Sequence, residues 1–378
     1  MTEPSADTLW AMALSRVECR HRVSFRPLCE RVGSLSALME HAADITSVID
    51  DASPRLAQLL AEAEGGLDWA RDEFAWAQEH GCRVIAFDDK DYPQRLRQCP
   101  DPPLVVYYRG TADLNARHVV SVVGTRKVTR YGRDLIQSFT ASLARSCPET
   151  LVVSGLAYGV DGDAHRDALA SGLSTVGVVA HGLDMIYPRA HQQLAQEMTR
   201  HGGVLAEFAT HTQPVAANFI RRNRIVAGMA DAVVLVESAR KGGGLITTTI
   251  ARSYGRDVFA FPGAVGAPWS EGCNNLIRDN GAMLITSADD MVKALGWTDD
   301  ARLSQARREG IERQLFPQLD DAEQSVVDTL SKANDLLTSQ LSALSGLSIE
   351  NLPKTLFTLE MKGVVKTMAG GFIHLLKR

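Results

Sequence analysis

Between about residues 113 and 296, short apolar runs alternate with stretches of helical length, and no other feature of the sequence constrains the fold so tightly. The runs are HVVSVV, LVVS, STVGVV, GVLAE, AVVLVE, DVFAF and AMLIT. Between most of them lie segments such as YGRDLIQSFTASLARS, DGDAHRDALASG, PRAHQQLAQEMTRHG and GGLITTTIARSYG. Strands separated by helices run parallel through right-handed crossovers, so the expected class is α/β with an extended, Rossmann-like, doubly wound sheet. Ligands of such a sheet gather at the carboxyl ends of the strands.

The flanks differ in character. Residues 1–78 carry apolar residues at helical spacing, as in SLSALMEHA and RLAQLLAEA, with loops at Val32–Ser34 and around Pro54, which predicts a helical domain. Within 79–112, CRVIAF and LVVYYRG read as strands around the turn-rich DDKDYPQRLRQCPDPP, an edge extension of the sheet domain that ends near 296. Residues 297–319 are polar with mixed charge and read as a linker. In 320–378, three helical segments precede the hairpin VVKTMAGGFIHLL with its Gly-Gly turn, the order of a winged helix-turn-helix.

Composition removes several function classes. The longest apolar runs fall short of the roughly 18 residues a membrane span needs, so no membrane association is expected. The N-terminus MTEPSADTLW lacks a basic region followed by an apolar stretch, so a cytoplasmic protein is expected. Six cysteines (Cys19, Cys29, Cys82, Cys99, Cys147 and Cys273) form no CxxC pair, which argues against a zinc site and a disulfide framework. The formal net charge is −5, so any nucleic-acid binding must use a local patch.

The loops at the strand ends carry the chemistry. After HVVSVV comes GTRKVTRYGRD, where Gly124 allows close backbone approach and Arg126, Lys127, Arg130 and Arg133 follow. A tight turn opening onto a helix N-terminus offers free N–H groups to an anion, and a flanking arginine can clamp a phosphate. Taken alone, the loop reads better as a tight strand-to-helix turn with solvated cations. The second loop, SGLAYGVDGDAHRDAL, lacks the GxGxxG spacing and no acidic residue ends the next strand, which argues against a nicotinamide cofactor. Asp161 is expected to cap the helix that carries His165, and His165 to be structural. In ANFIRRNRIVAGMAD, Phe219, Arg221, Arg222, Asn223 and Arg224 crowd one helical turn, offering a ring for a base and charges for phosphates. The alternative places Phe219 in the core with the arginines solvated. Finally, Lys241 and Gly242 to Gly244 open a helix with bare amides. Four phosphate-suited elements on one sheet edge point to a binding rim.

Several of these motifs occur together in a known family. VGTRKVTRYG, VSGLAYGVDGDAHRDAL, GLDMIYPRAH, NFIRRNRIVAGMADAVVLVES, GGLITTTIA and FAFPG followed by SEGCNNLIRDNGA make the chain resemble DNA-processing protein A, also called Smf, over essentially its whole length. The resemblance implies a non-catalytic protein without cofactor or metal. In that family a Rossmann-like domain binds single-stranded DNA, forms a homodimer and helps load RecA recombinase during natural transformation, and the resemblance implies the same here. Carried over by motif, Gly124, Thr125 and Arg126 look like the phosphate-gripping turn, to which the residue reading adds Lys127. Phe219, Arg222, Asn223 and Arg224 look like the strand-binding helix start, and the reading of the residues themselves adds Arg221, Lys241, Gly243 and Gly244 to the expected DNA-binding set. Residues 1–78 are similar to the family's sterile-alpha-motif-like domain and 320–378 to its winged helix. One departure is Gly242, Gly243, Gly244, where the family often has serine-glycine-serine, so hydroxyl contacts are lost while the amides remain.

Two rival functions compete. Lysine-decarboxylase-like nucleotide hydrolases share this Rossmann variant but place a glutamate shortly after the glycine turn, whereas Thr247 is followed here by Thr248, Thr249, Ile250 and Ala251. Glu237 is the nearest substitute and is expected to be structural. A duplex-binding regulator acting through the winged helix is the second rival, but Lys354 and Lys362 are countered by Glu350 and Glu360.

Overall fold

The computed structural model describes residues 3–21, 23–297, 319–333, 336–362, 364–367 and 372–375. They fall into two compact units, Met1–Ala301 and Arg302–Arg378. Most of the expected linker lies outside the described residues.

The first unit opens with α1 (Ala6–His21), α2 (Arg26–Val32), α3 (Leu35–Glu40), α4 (Pro54–Glu64) and α5 (Leu67–Glu79). Ser34 and Ser53 start α3 and α4 by accepting the free N–H groups of Ala37 and Leu56, and Pro54 fits the first turn of α4, where its missing N–H costs nothing. Leu14, Leu38 and Leu60 share one apolar core with Val105, Tyr107 and Val204 of the sheet. The helical segment is thus packed on the sheet as part of the same unit.

Next come β1 (Arg83–Ala86), α6 (Gln94–Arg97), β2 (Val105–Gly110), β3 (His118–Val123), α7 (Arg130–Ser146), β4 (Thr150–Ser154), α8 (Val160–Ala170) and β5 (Thr175–Val179). They are followed by α9 (Gln192–His201), β6 (Gly202–Ala206), α10 (Ala216–Gly228), β7 (Ala232–Leu235), α11 (Gly243–Ser253), β8 (Asp257–Ala260), α12 (Glu271–Arg278), β9 (Met283–Leu284) and α13 (Ala288–Ala294). The sheet order is β1-β2-β6-β5-β4-β3-β7-β8-β9. Strands β3 to β9 pair in parallel, while β2 pairs antiparallel with both β6 and β1. The mostly parallel α/β sheet is therefore as the sequence predicts, and β1 and β2 extend its edge in antiparallel pairing.

Alternation along β3 shows how both faces are covered. Val119 and Val123 join Ile225 and Ala251 on one face, and Val120 and Val122 join Ile136 and Phe139 on the other. Ser121, between them, donates to the Val226 carbonyl of α10 at 2.6 Å, which satisfies its buried hydroxyl. The chain runs outward from β3 to β6, then returns to place β7 beside β3, so the winding direction reverses between β3 and β7. Loops from those two strand ends leave in opposite directions and open a crevice.

The second unit holds helices Asp321–Lys332, Thr338–Ser345 and Leu352–Met361 with strands Leu336–Leu337, Val365–Thr367 and Phe372–Leu375 in one antiparallel sheet. Val326, Leu330, Leu341, Leu359 and Ile373 form its core, the arrangement of a winged helix. The Gly-Gly turn expected in its hairpin lies outside the described residues. Among those residues no helix is long and apolar enough to cross a membrane.

Where β2 meets β6, the ring of Tyr108 lies against Gly203, and a Cβ there would sit 2.6 Å from its Cζ. Gly203→Ala is expected to destabilise the first unit by about 1–3 kcal/mol through overpacking, read as a lower midpoint in urea unfolding.

Candidate nucleic-acid interface

The crevice between β3 and β7 is a cavity of about 650 Å³ walled by Gly124–Lys127, Gly155, α10 and the loop from Ser238 into α11. Each wall has a local cause. Thr125 donates its N–H to the Glu237 carbonyl at 2.8 Å, and Val160 donates to the Thr125 carbonyl at 3.1 Å, which ties the turn after β3 to the ends of two neighbours. A Cβ at Gly124 would lie 2.6 Å from Val160, so this approach requires glycine. The buried carboxylate of Glu237 accepts from Thr129 N at 2.8 Å and from Thr129 Oγ1 at 2.6 Å, while Thr129 caps α7. Glu237 is thus structural, as expected, and Arg126 and Lys127 are carried outward on an anchored turn.

Helix α10 divides its residues between two faces. Phe219, Arg222 and Asn223, three and four residues apart, line the crevice. Arg221 and Arg224 do not, which corrects the expectation that they join the rim. They turn to Glu207, at the end of β6, whose side chain is 1% exposed: Arg221 Nε lies 3.1 Å from it, and Arg224 pairs with it through Nη2. Arg224 also donates to the Asp101 carbonyl. A buried carboxylate captures the nearest cations because leaving it unpaired is costly.

Arg222 lines the crevice from below rather than projecting into solvent. It is 4% exposed, donates from Nη1 to the Val178 carbonyl at 3.1 Å, and keeps a buried Nε without a hydrogen-bond partner. Its guanidinium lies across Gly155, where a Cβ would be 2.5 Å from Cζ. Beside it is the buried carboxyl of Asp161, whose pKa is raised by burial and drawn back down by Arg222. The expected cap of α8 by Asp161 is not found. Its carboxylate instead reaches inward to Ala157 N at 3.4 Å, and Gly159 stands at the N-cap position.

At the opposite wall Gly242 precedes α11 with no side-chain cap, so the first amides of the helix remain bare beside Lys241. Gly244 packs on Gly124 and Leu235, which brings the helix start against the turn after β3. Among the described residues no carboxylate lies within ion-pair distance of Arg126, Lys127 or Lys241. Phe219 is half-buried: the Arg126 guanidinium lies 5.1 Å over its ring, and Tyr187 meets it edge-on at 6.0 Å. The ring is therefore a rim residue and not a core one. Sequence reasoning missed Trp269, which lines the crevice with the exposed Ile220 and Ile246, and Tyr187, which meets Phe219 beside it.

His165 has no access to the crevice. It is fully buried, its Nδ1 pairs with Thr175 Oγ1 at 2.6 Å, and burial holds its pKa down to about 3.

The family model for DNA recombination-mediator protein A matches residues 83–296. A DNA processing protein DprA from Mycobacterium tuberculosis is 34% identical over 317 residues, 80% of each chain. Protein Smf of Escherichia coli is 32% identical over 330 residues, 84% of each. Among solved structures, DNA processing protein A from Streptococcus pneumoniae aligns with a TM-score of 0.57 at 32% identity, covering 68% of this chain and 91% of that one. A Helicobacter pylori DNA processing protein A, described for its single-stranded DNA binding mode, aligns with a TM-score of 0.51 at 26% identity, covering 57% of this chain and 95% of that one.

Two outcomes follow from the buried charges. Glu207→Ala leaves Arg224 largely buried without its carboxylate and is expected to cost about 3–5 kcal/mol in urea unfolding. For His165 the folded pKa of about 3 lies below the ordinary 6.5, so the unfolded chain binds the extra proton between those values. Stability from this residue is full above pH 6.5 and declines as pH falls from there toward 3. Unfolding titrations at about pH 7 and about pH 5 should show that decline, and His165→Gln should flatten it.

Proposed function

This chain belongs to the DNA recombination-mediator protein A family, and on that premise we propose that it binds single-stranded DNA without chemically altering it. In this reading it shields incoming strands during natural transformation and passes them to a RecA recombinase, acting in the cytoplasm as a homodimer. The observation that carries it is the crevice itself. Three cations without acidic partners among the described residues, the bare start of α11 and the ring of Phe219 share one cavity, which is the combination a sugar-phosphate chain with unstacked bases requires. The Helicobacter pylori relative, described for its mode of binding single-stranded DNA, supports the same assignment.

The rivals fare worse on particular residues. A nucleotide hydrolase needs a carboxylate facing the substrate, and Glu237 commits both oxygens to Thr129. A duplex reader needs cations on the third helix of the winged unit, yet Lys362, at the end of that helix, is held 2.5 Å from buried Glu323.

Arg126→Ala combined with Lys241→Ala should weaken binding to a fluorescent oligothymidylate and lower its salt slope by about 0.7 for each phosphate no longer neutralised. Unchanged affinity and slope in an anisotropy titration would refute the crevice as the site. Nucleoside monophosphates incubated with the protein should release no free base.

A further inference from the structure

The aromatic surface does not end at Phe219. Two more rings, Tyr158 and Tyr187, stand on the loops that follow β4 and β5, with about half of each residue exposed to solvent (50% and 44%). Both adjoin the crevice. Gly159, next to Tyr158, lies against the Thr125–Arg126 peptide, where a Cβ would come 2.6 Å from the Arg126 carbonyl carbon. Tyr187 touches Phe219 edge-on, with 61° between the rings. Exposed aromatics usually occur singly, and rings grouped beside a cationic cavity call for an explanation.

The rings are also held in place from beneath by buried histidines. His181 donates from Nδ1 to the Gly182 carbonyl at 2.8 Å, and its Nε2 accepts the Tyr187 N–H at 3.1 Å. Burial lowers the pKa of His181, which keeps it in the neutral form this pairing needs. His191 is 3% exposed, its Nδ1 lies 3.0 Å from the Leu156 carbonyl, and its ring meets that of Tyr158 at 5.4 Å and 63°. Gly162 leaves the room for His191, since a Cβ there would lie 2.6 Å from its Cε1. A ring fixed by its backbone and its neighbour loses little entropy when a base stacks on it.

We propose that Tyr158 and Tyr187 extend the single-strand track from the phosphate crevice across the ends of β4 and β5, each offering a face to a base. The inference rests on the preceding assignment of the crevice to single-stranded DNA. It adds a direction: the strand leaves the crevice across β4 toward β5, where the rings are, and not toward β8. Stacking accepts any base, so the platform adds affinity without sequence preference.

The test separates bases from phosphates. Full-length wild type, Tyr158→Ala, Tyr187→Ala, the two Phe variants and Arg126→Ala are titrated with an oligothymidylate of about 16 nucleotides and with an abasic strand of equal length. Each Ala variant is expected to lose roughly tenfold in affinity for oligothymidylate. The salt slope and abasic binding should stay at wild-type values, and Phe should restore the affinity. With 5-bromodeoxyuridine in the strand, ultraviolet cross-links should map to the peptides carrying Tyr158 and Tyr187 in the unmutated protein. Wild-type affinity in both Ala variants and cross-links elsewhere, with Arg126→Ala still weak, would overturn the platform and leave the crevice standing. Wild-type affinity in Arg126→Ala as well, or no binding of either strand by the unmutated protein, would overturn both.

Discussion

Helix α10 is clamped by buried charges on two sides, and the geometry of the crevice depends on that clamp. On one side Glu207 takes Arg221 and Arg224; on the other Arg222 reaches the Val178 carbonyl and lies beside Asp161. Buried charges are a poor source of net stability because each must shed its hydration, but they are exacting about position. The sequence RRNR would otherwise tolerate a rotation of the helix, since neighbouring residues are chemically alike. A slip of one residue turns an α-helix by about 100°, which would swing Phe219 and Asn223 out of the crevice and strand Glu207 without a partner.

The same pairing of charges explains how a chain of net charge −5 presents a cationic seat. Carboxylates near the rim are occupied: Glu237 by Thr129, Glu207 by two arginines, and Asp163 by Arg133 and Arg166. The cations left over are Arg126, Lys127 and Lys241, on loops from the two strands where the winding reverses. Their field is local and screened within about 8–10 Å at ordinary ionic strength, so the acidic remainder of the molecule scarcely weakens it.

Much of this was legible in the sequence, because its signals are periodic or local. Seven apolar runs separated by helical stretches marked the strands of the parallel sheet, and glycines before helix starts marked the loops that meet at the rim. The division of α10 was also legible in principle: counting three and four residues on from Phe219 reaches Arg222 and Asn223 and leaves Arg221 and Arg224 on another face. Their partner was not legible. Glu207 lies 14 to 17 residues upstream, just past the end of β6, and the parallel pairing of β5 with β6 sets its place beneath α10. Asp161 misled for a related reason. An aspartate in a helical first turn ordinarily caps it, and what drew this one inward was the guanidinium of Arg222, far away in the chain and lying across a glycine.

The contact between Arg126 and Phe219 sets how binding energy can be divided at the rim. In the free protein the guanidinium already covers one face of the ring, an interaction of about 0.5–1 kcal/mol at an exposed site. A base that takes that face must displace the cation, so stacking there adds only what exceeds the interaction it replaces. The displaced guanidinium stays beside the cavity where a phosphate would lie and can move to it without refolding the turn that Thr125 anchors. Phe219 thus keeps Arg126 extended over the crevice in the free protein, and under the proposed function it would act as a platform only after that. That order of roles favours a ligand supplying phosphate and base together over either group alone.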